Sequence, residues 1–88
     1  MTHPDYRTAL DVVRQVLRNE LGLSPEMQIQ EDDSLDLLPG ADSVRLMQVV
    51  SVLERRFTVE MDDTVIRKTQ TVADMAHTLH DALTEGAV

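Results

Sequence analysis

Cysteine and tryptophan are absent from the 88-residue chain, and the aromatic side chains are one Tyr and one Phe, Tyr6 and Phe57. Without cysteine there is no disulfide framework, no thiolate metal site and no redox dithiol. Without aromatic bulk the interior must be filled by Val, Leu and the 5 Met, and unbranched methionine adapts to irregular gaps. Basic residues are scarce: 8 Lys and Arg stand against 16 Asp and Glu, a formal charge of −8. This balance argues against nucleic acid, whose binding rests on a basic patch, and against anionic membrane surfaces. It favours basic docking patches on protein partners, with plain solubility as the alternative. No apolar run reaches bilayer length and no signal or transit pattern is found, so the cytoplasm is the expected compartment.

What is present is a foldable chain, 42% hydrophobic, of single-domain size. At this length only about 60% of the unfolded surface is buried, enough for one modest core. The expectation is one domain over 1–88, with an ordered core over about 3–84 and a tail at 85–88. Thr2, Pro4 and Asp5 read as a helix start, with Thr2 as cap. Tyr6, Leu10, Val13 and Leu17 follow at steps of four, three and four, an amphipathic stripe with Arg7, Asp11, Arg14 and Arg18 away from it. Gly22 is the expected left-handed stop.

From Leu23 to Ala41 no period holds. Met27, Ile29, Leu35, Leu37 and Leu38 are expected to pin this long connection to the helices, with a short turn near Asp32 to Leu35. A second long helix runs from Ser43 to Phe57, burying Leu46, Met47, Val49, Val50, Leu53 and Phe57. Val44, Gln48, Ser51 and Arg55 form an outward stripe. Thr58 to Met61 reads as an extended connector, and Asp62 or Asp63 caps a short helical turn. Thr71 and Asp74 form a capping-box pattern for the last helix, whose apolar face is Val72, Met75, Ala76, Leu79 and Leu83. The fold class is therefore all-α: a small four-helix bundle, three long helices and one short, with a long loop between the first two.

The stretch from Leu37 to Met47 carries the chemistry. Pro39-Gly40 breaks regular structure, and an apolar helical pattern begins three residues later. Asp42 supplies a capping side chain, which leaves the Ser43 hydroxyl available at a helix mouth whose unpaired N–H groups and dipole favour an anion. Gly40-Ala41-Asp42-Ser43-Val44 resembles the G-x-D-S-L attachment motif of acyl carrier proteins, and length, acidity and helix order resemble that family over nearly the whole chain. The resemblance implies a 4′-phosphopantetheine arm on Ser43, drawn from coenzyme A and ending in a thiol that holds acyl groups as thioesters. It implies that Asp42 is read by a phosphopantetheinyl transferase. It also implies an acyltransferase or acyl or aminoacyl ligase that loads the arm, and a downstream synthase, with the chain acting as a monomer.

Val44, Arg45, Gln48, Ser51, Glu54 and Arg55 are the expected partner face. Val44 replaces the usual Leu, and Arg45 stands where many fatty-acid carriers have an acid. Arg45 and Arg55 would repel partners built to grip an acidic helix, a route to specificity. These departures point to a discrete carrier of a specialised pathway, of polyketide or macrolactam type. An aminoacyl or peptidyl carrier is the nearest alternative, and an unmodified acidic helical adaptor is the alternative from another class.

No catalytic apparatus is expected. Ser43 lacks the G-x-S-x-G elbow of hydrolases, and only His3, His77 and His80 are candidate bases. His77, His80 and Asp81 superficially suggest a metal pair, but exposed histidines on a polar face explain them, so no metal site is assigned. The acidic run Glu31, Asp32, Asp33 and Asp36 fails as a calcium loop, because Leu37 falls where glycine is needed and Ser43 where a bidentate Glu is needed.

Overall fold

The computed structural model describes residues 5–85. Asp5 opens the first helix: its backbone is extended, its carboxylate accepts the Thr8 N–H, and α1 spans Tyr6–Leu21. The expected Thr2 cap lies outside the described residues, and Asp5 is the cap rather than the acidic third position of a Thr2 box. An aspartate caps at least as well as threonine, and its charge also meets the helix dipole. Leu10, Val13 and Leu17 are buried as their spacing predicts, with Ala9, Val16 and Leu21 widening the stripe and Tyr6 packed at its edge. Gly22, left-handed at φ 67°, closes α1 by donating to the Arg18 carbonyl.

Three further helices follow: α2 (Ser43–Phe57), α3 (Asp63–Lys68) and α4 (Val72–Glu85). Glu85, expected in the tail, instead ends α4, and 86–88 lie outside the described residues. The capping box of α4 is complete. Thr71 N–H donates to Asp74 Oδ2 and Asp74 N–H donates to Thr71 Oγ1, both at 3.1 Å. Val72, Met75, Ala76 and Leu79 are buried and Leu83 is half-buried. α1 is the central element, packed against α4 on one side and α2 on the other, while α3 lies against α4. The all-α expectation holds; Ser34 and Thr71 form an isolated bridge.

α2 buries Val49, Val50 and Leu53, with Leu46 and Phe57 half-buried. Met47, expected inside, is 47% exposed. The reason lies in packing: α2 meets chiefly α1, so its covered stripe is narrower than six apolar positions.

The long connection is held by two kinds of contact. Ile29, Leu35 and Leu38 are buried and Met27 is half-buried, but Leu37 is 83% exposed, against expectation. Leu35–Leu37 form a 3-10 turn. Its period of three sends Leu35 and Leu38 to the same side and leaves Leu37 outside. The second kind is polar. Arg14 Nε donates to the Ile29 carbonyl at 2.8 Å and Arg18 Nη2 to the Met27 carbonyl at 3.1 Å. The Val72 and Ala73 N–H groups, which have no partner within α4, donate to Asp33 and Glu31 carbonyls at 3.0 and 2.8 Å. Tyr6 completes the clamp: its hydroxyl donates to Glu31 at 2.8 Å and its ring stacks on His77 with centroids 4.2 Å apart.

Between α2 and α3, Thr58 is left-handed (φ 54°), not extended as expected, and its N–H closes α2 on the Glu54 carbonyl. Asp62 caps α3 by accepting the Thr64 N–H.

Candidate functional site

The turn before α2 explains how Ser43 is presented. Ala41 N–H donates to the Leu38 carbonyl at 3.0 Å, closing Leu38-Pro39-Gly40-Ala41 into a tight turn. Proline fixes the first inner position, and Gly40 takes the second at φ 79°, the combination a type II turn requires. A methyl group at Gly40 would stand 3.2 Å from the Leu21 carbonyl oxygen. The turn is thus seated against the C-terminal end of α1. Arg45 makes the second tie to that end: its Nη1 donates to the Glu20 carbonyl at 3.0 Å. Cations suit helix C-termini, where carbonyls point outward unpaired.

Asp42 is the N-cap of α2, with extended backbone and its carboxylate 2.7 Å from the Arg45 N–H. Ser43 is therefore the first helical residue. It is exposed, and its hydroxyl has no capping role to fill. The Ser43 and Val44 N–H groups have no carbonyl within the helix to donate to, so the field at this end favours negative charge. An exposed hydroxyl beside such a helix end fits the phosphodiester of a phosphopantetheine arm.

The expected partner face is only partly one surface. Val44, at 68% exposure, Gln48, Ser51 and Arg55 all face outward from α2, as their spacing predicts. Val44, Gln48 and Ser51 form with Met47 a shallow apolar groove that begins at Ser43 and runs through Ser51. Met47 is the residue that sequence reasoning placed elsewhere. Arg45 is exposed but also tied to α1. Glu54 is half-buried, its carboxylate accepting the Met61 N–H at 2.9 Å, so it helps to shape the α2–α3 connection. Leu37, across the tight turn from Asp42, adds an exposed apolar side chain at this end.

The remaining candidates are scattered. His77 is engaged with Tyr6, and no set of three potential ligands gathers around a metal position among the described residues. Partial burial, then the hydrogen bond to Glu31, pushes the Tyr6 hydroxyl above its ordinary pKa. Backbone N–H donors hold Asp5 and Asp74 below the usual carboxylate range. Among the described residues no helix is long and apolar enough to cross a membrane.

The family described as the phosphopantetheine attachment site matches residues 11–79. The chain is 36% identical to an acyl carrier protein of Campylobacter curvus, over 76% of this chain and 86% of that protein. Its fold is similar to the solution structure of the acetyl actinorhodin acyl carrier protein from Streptomyces coelicolor. That match has a TM-score of 0.67 and 30% identity, and covers 89% of this chain and 93% of the other. The oxytetracycline acyl carrier protein is similar with a TM-score of 0.71 and 25% identity, covering 100% and 90%. Family match, relatives and four-helix architecture agree: the chain belongs to the acyl carrier proteins, which bear 4′-phosphopantetheine.

Proposed function

We propose that Ser43 is the attachment residue and that the chain works as a carrier, not a catalyst, in a specialised, polyketide-type pathway. The observation that carries the reading is the division of labour at the head of α2. Asp42 satisfies the helix end through its 2.7 Å bond to the Arg45 N–H, which leaves the Ser43 oxygen free to form the phosphodiester. A transferase with coenzyme A would join that oxygen to the phosphoryl end of the arm, taking the hydroxyl proton and releasing the nucleotide half. When bound, the arm supplies a terminal thiol that holds acyl groups as thioesters. The chain's own residues position and expose it: Gly40 and Arg45 seat the turn on α1, and Val44, Met47, Gln48 and Ser51 offer the adjacent groove. Tethering raises the effective concentration of cargo at each docked enzyme, so transient docking suffices.

The pathway assignment is supported by the actinorhodin and oxytetracycline names of the similar structures, together with Arg45 and Arg55 in the outward region of α2. The loading partner is an acyltransferase or an acyl or aminoacyl ligase and the receiving partner a synthase. All would work in the cytoplasm, where coenzyme A is the arm's donor. Incubation with coenzyme A and a broad-range phosphopantetheinyl transferase, followed by intact mass, tests the assignment. Gain of one arm by the native chain and none by Ser43→Ala is the expected result. A native chain that stays bare, or a Ser43→Ala chain that still gains an arm, overturns it.

A further inference from the structure

We infer that the enzymes docking beside Ser43 present an apolar ridge flanked by carboxylates, the reverse of a basic patch. The inference rests on Ser43 as the working end of the molecule and concerns the chemistry of whatever meets it. Although the chain carries a net charge of −8, α2 itself carries three arginines against one carboxylate. Arg45, Arg55 and Arg56 are exposed there, and the one carboxylate of the helix, Glu54, is half-buried and accepts the Met61 N–H. The only ion pair among the described residues joins Arg14 to Asp11 on α1, so none of these three arginines has a carboxylate within 4.0 Å. The bond from Arg45 to the Glu20 carbonyl fixes its position but leaves its charge intact, because a carbonyl is neutral.

The helical period sorts the region. Val44, Gln48, Ser51 and Arg55 run down its middle, Met47 lies along one edge, and Arg45 and Arg56, three turns apart, lie along the other. From Ser43 to Arg55 the axis spans about 18 Å, a footprint suited to one partner helix or ridge. Charges separated by more than about 8 Å are largely screened at physiological salt. A seated partner therefore feels these guanidiniums more than the acids on the far faces of α1 and α4. Asp42 heads the groove and Glu54 and Glu60 lie beside Arg55, while the helical period sets Arg45 and Arg56 on the edge opposite Glu54. Apolar side chains match Val44 and Met47, and carboxylates match the arginines; a basic ridge would meet like charge.

Two synthetic amphipathic helical peptides test this, identical in their Leu stripe and flanked by Glu in one and Lys in the other. Each is titrated into the isotope-labelled phosphopantetheinylated protein, and amide shifts are followed. The Glu peptide should move the amides of Val44, Met47, Gln48, Ser51 and Arg55. Its affinity should fall roughly threefold or more in the Arg55→Gln/Arg56→Gln double variant, and again on adding salt. Both arginines are exposed, and unchanged amide spectra elsewhere verify that the double variant is folded. A Lys peptide that moves the α2 amides, or a Glu peptide that leaves them still, overturns the proposal. Arm attachment is read separately by mass, so a failure of the Ser43 assignment is distinguishable from a failure of this one.

Discussion

Replacing Gly40 by alanine should cost more than replacing Gly22, and the difference measures how firmly the turn before Ser43 is seated on α1. Both glycines are left-handed, at φ 79° and 67°. A left-handed backbone costs an L-residue about 1–2 kcal/mol, partly offset because alanine also restricts the unfolded chain by about 0.4–1 kcal/mol. That alone predicts a loss of about 1 kcal/mol at each site. The surroundings differ. A methyl at Gly22 meets nothing within 4 Å, whereas at Gly40 it stands 3.2 Å from the Leu21 carbonyl oxygen. That oxygen belongs to helix backbone and yields only if the turn moves. Forcing atoms into packed space costs about 1–3 kcal/mol, so Gly40→Ala should lose about 2–4 kcal/mol. In a domain of this size each kcal/mol shifts Tm by about 4–8 °C. Thermal melts followed by far-ultraviolet circular dichroism should therefore place Gly40→Ala clearly below Gly22→Ala. At a temperature where both are folded, transfer of phosphopantetheine should slow only in Gly40→Ala. Equal Tm values with equal transfer rates would refute the idea that the α1 terminus braces the turn.

Thr58→Gly should stabilise the fold by about 0.5–1 kcal/mol, because Thr58 is the one non-glycine residue at positive φ among those described and a β-branched side chain is strained there; urea titration reads the gain. Arg45→Gln should cost about 0.5–1.5 kcal/mol through the lost bond to Glu20, and Arg45→Glu more, by placing an acid at a helix C-terminus. The same titration checks both, and an Arg45→Glu chain as stable as the native one would make Arg45 purely a surface residue. The lowered pKa values of Asp5 and Asp74 mean that their contribution is present above the ordinary carboxylate range, near pH 4, and is lost as pH falls through their folded values. Melts in increasing acid should show a Tm decline that is shallower in the Asp5→Asn/Asp74→Asn double variant.

Capping chemistry was legible in the sequence because it is local. Asp42, Gly22 and the Thr71–Asp74 pair act on groups within four residues of themselves, and each does what its type and spacing imply. The head of α2, and with it the exposed Ser43, follows from such local rules alone. Asp5, read in the sequence as an acidic residue three after the cap, is itself the cap of α1. Exposure was harder to read, because periodicity says which residues share a face and not how much of it a neighbour covers. Met47 lies at the margin of the α2 stripe, beyond the cover of α1. Leu37 sits in a segment whose period is three rather than 3.6.

Least legible were bonds between distant segments. Arg14 and Arg18 looked like a solvated face until loop carbonyls came to lie beneath them. Glu54 looked like a docking acid until the α2–α3 connection folded back on it. Arg45 joins residues 25 positions apart, and a lone arginine in a helical stretch carries no mark of such a tie. The consequence is physical. Three arginines and one glutamate that sequence assigns to the surface instead fix the loop, the turn and the connection, so removing their charges alters the frame as well as the field. Arg55 and Arg56 stand apart as exposed cations that hold no hydrogen bond among the described residues. They are therefore the positions at which partner electrostatics can be changed without moving Ser43.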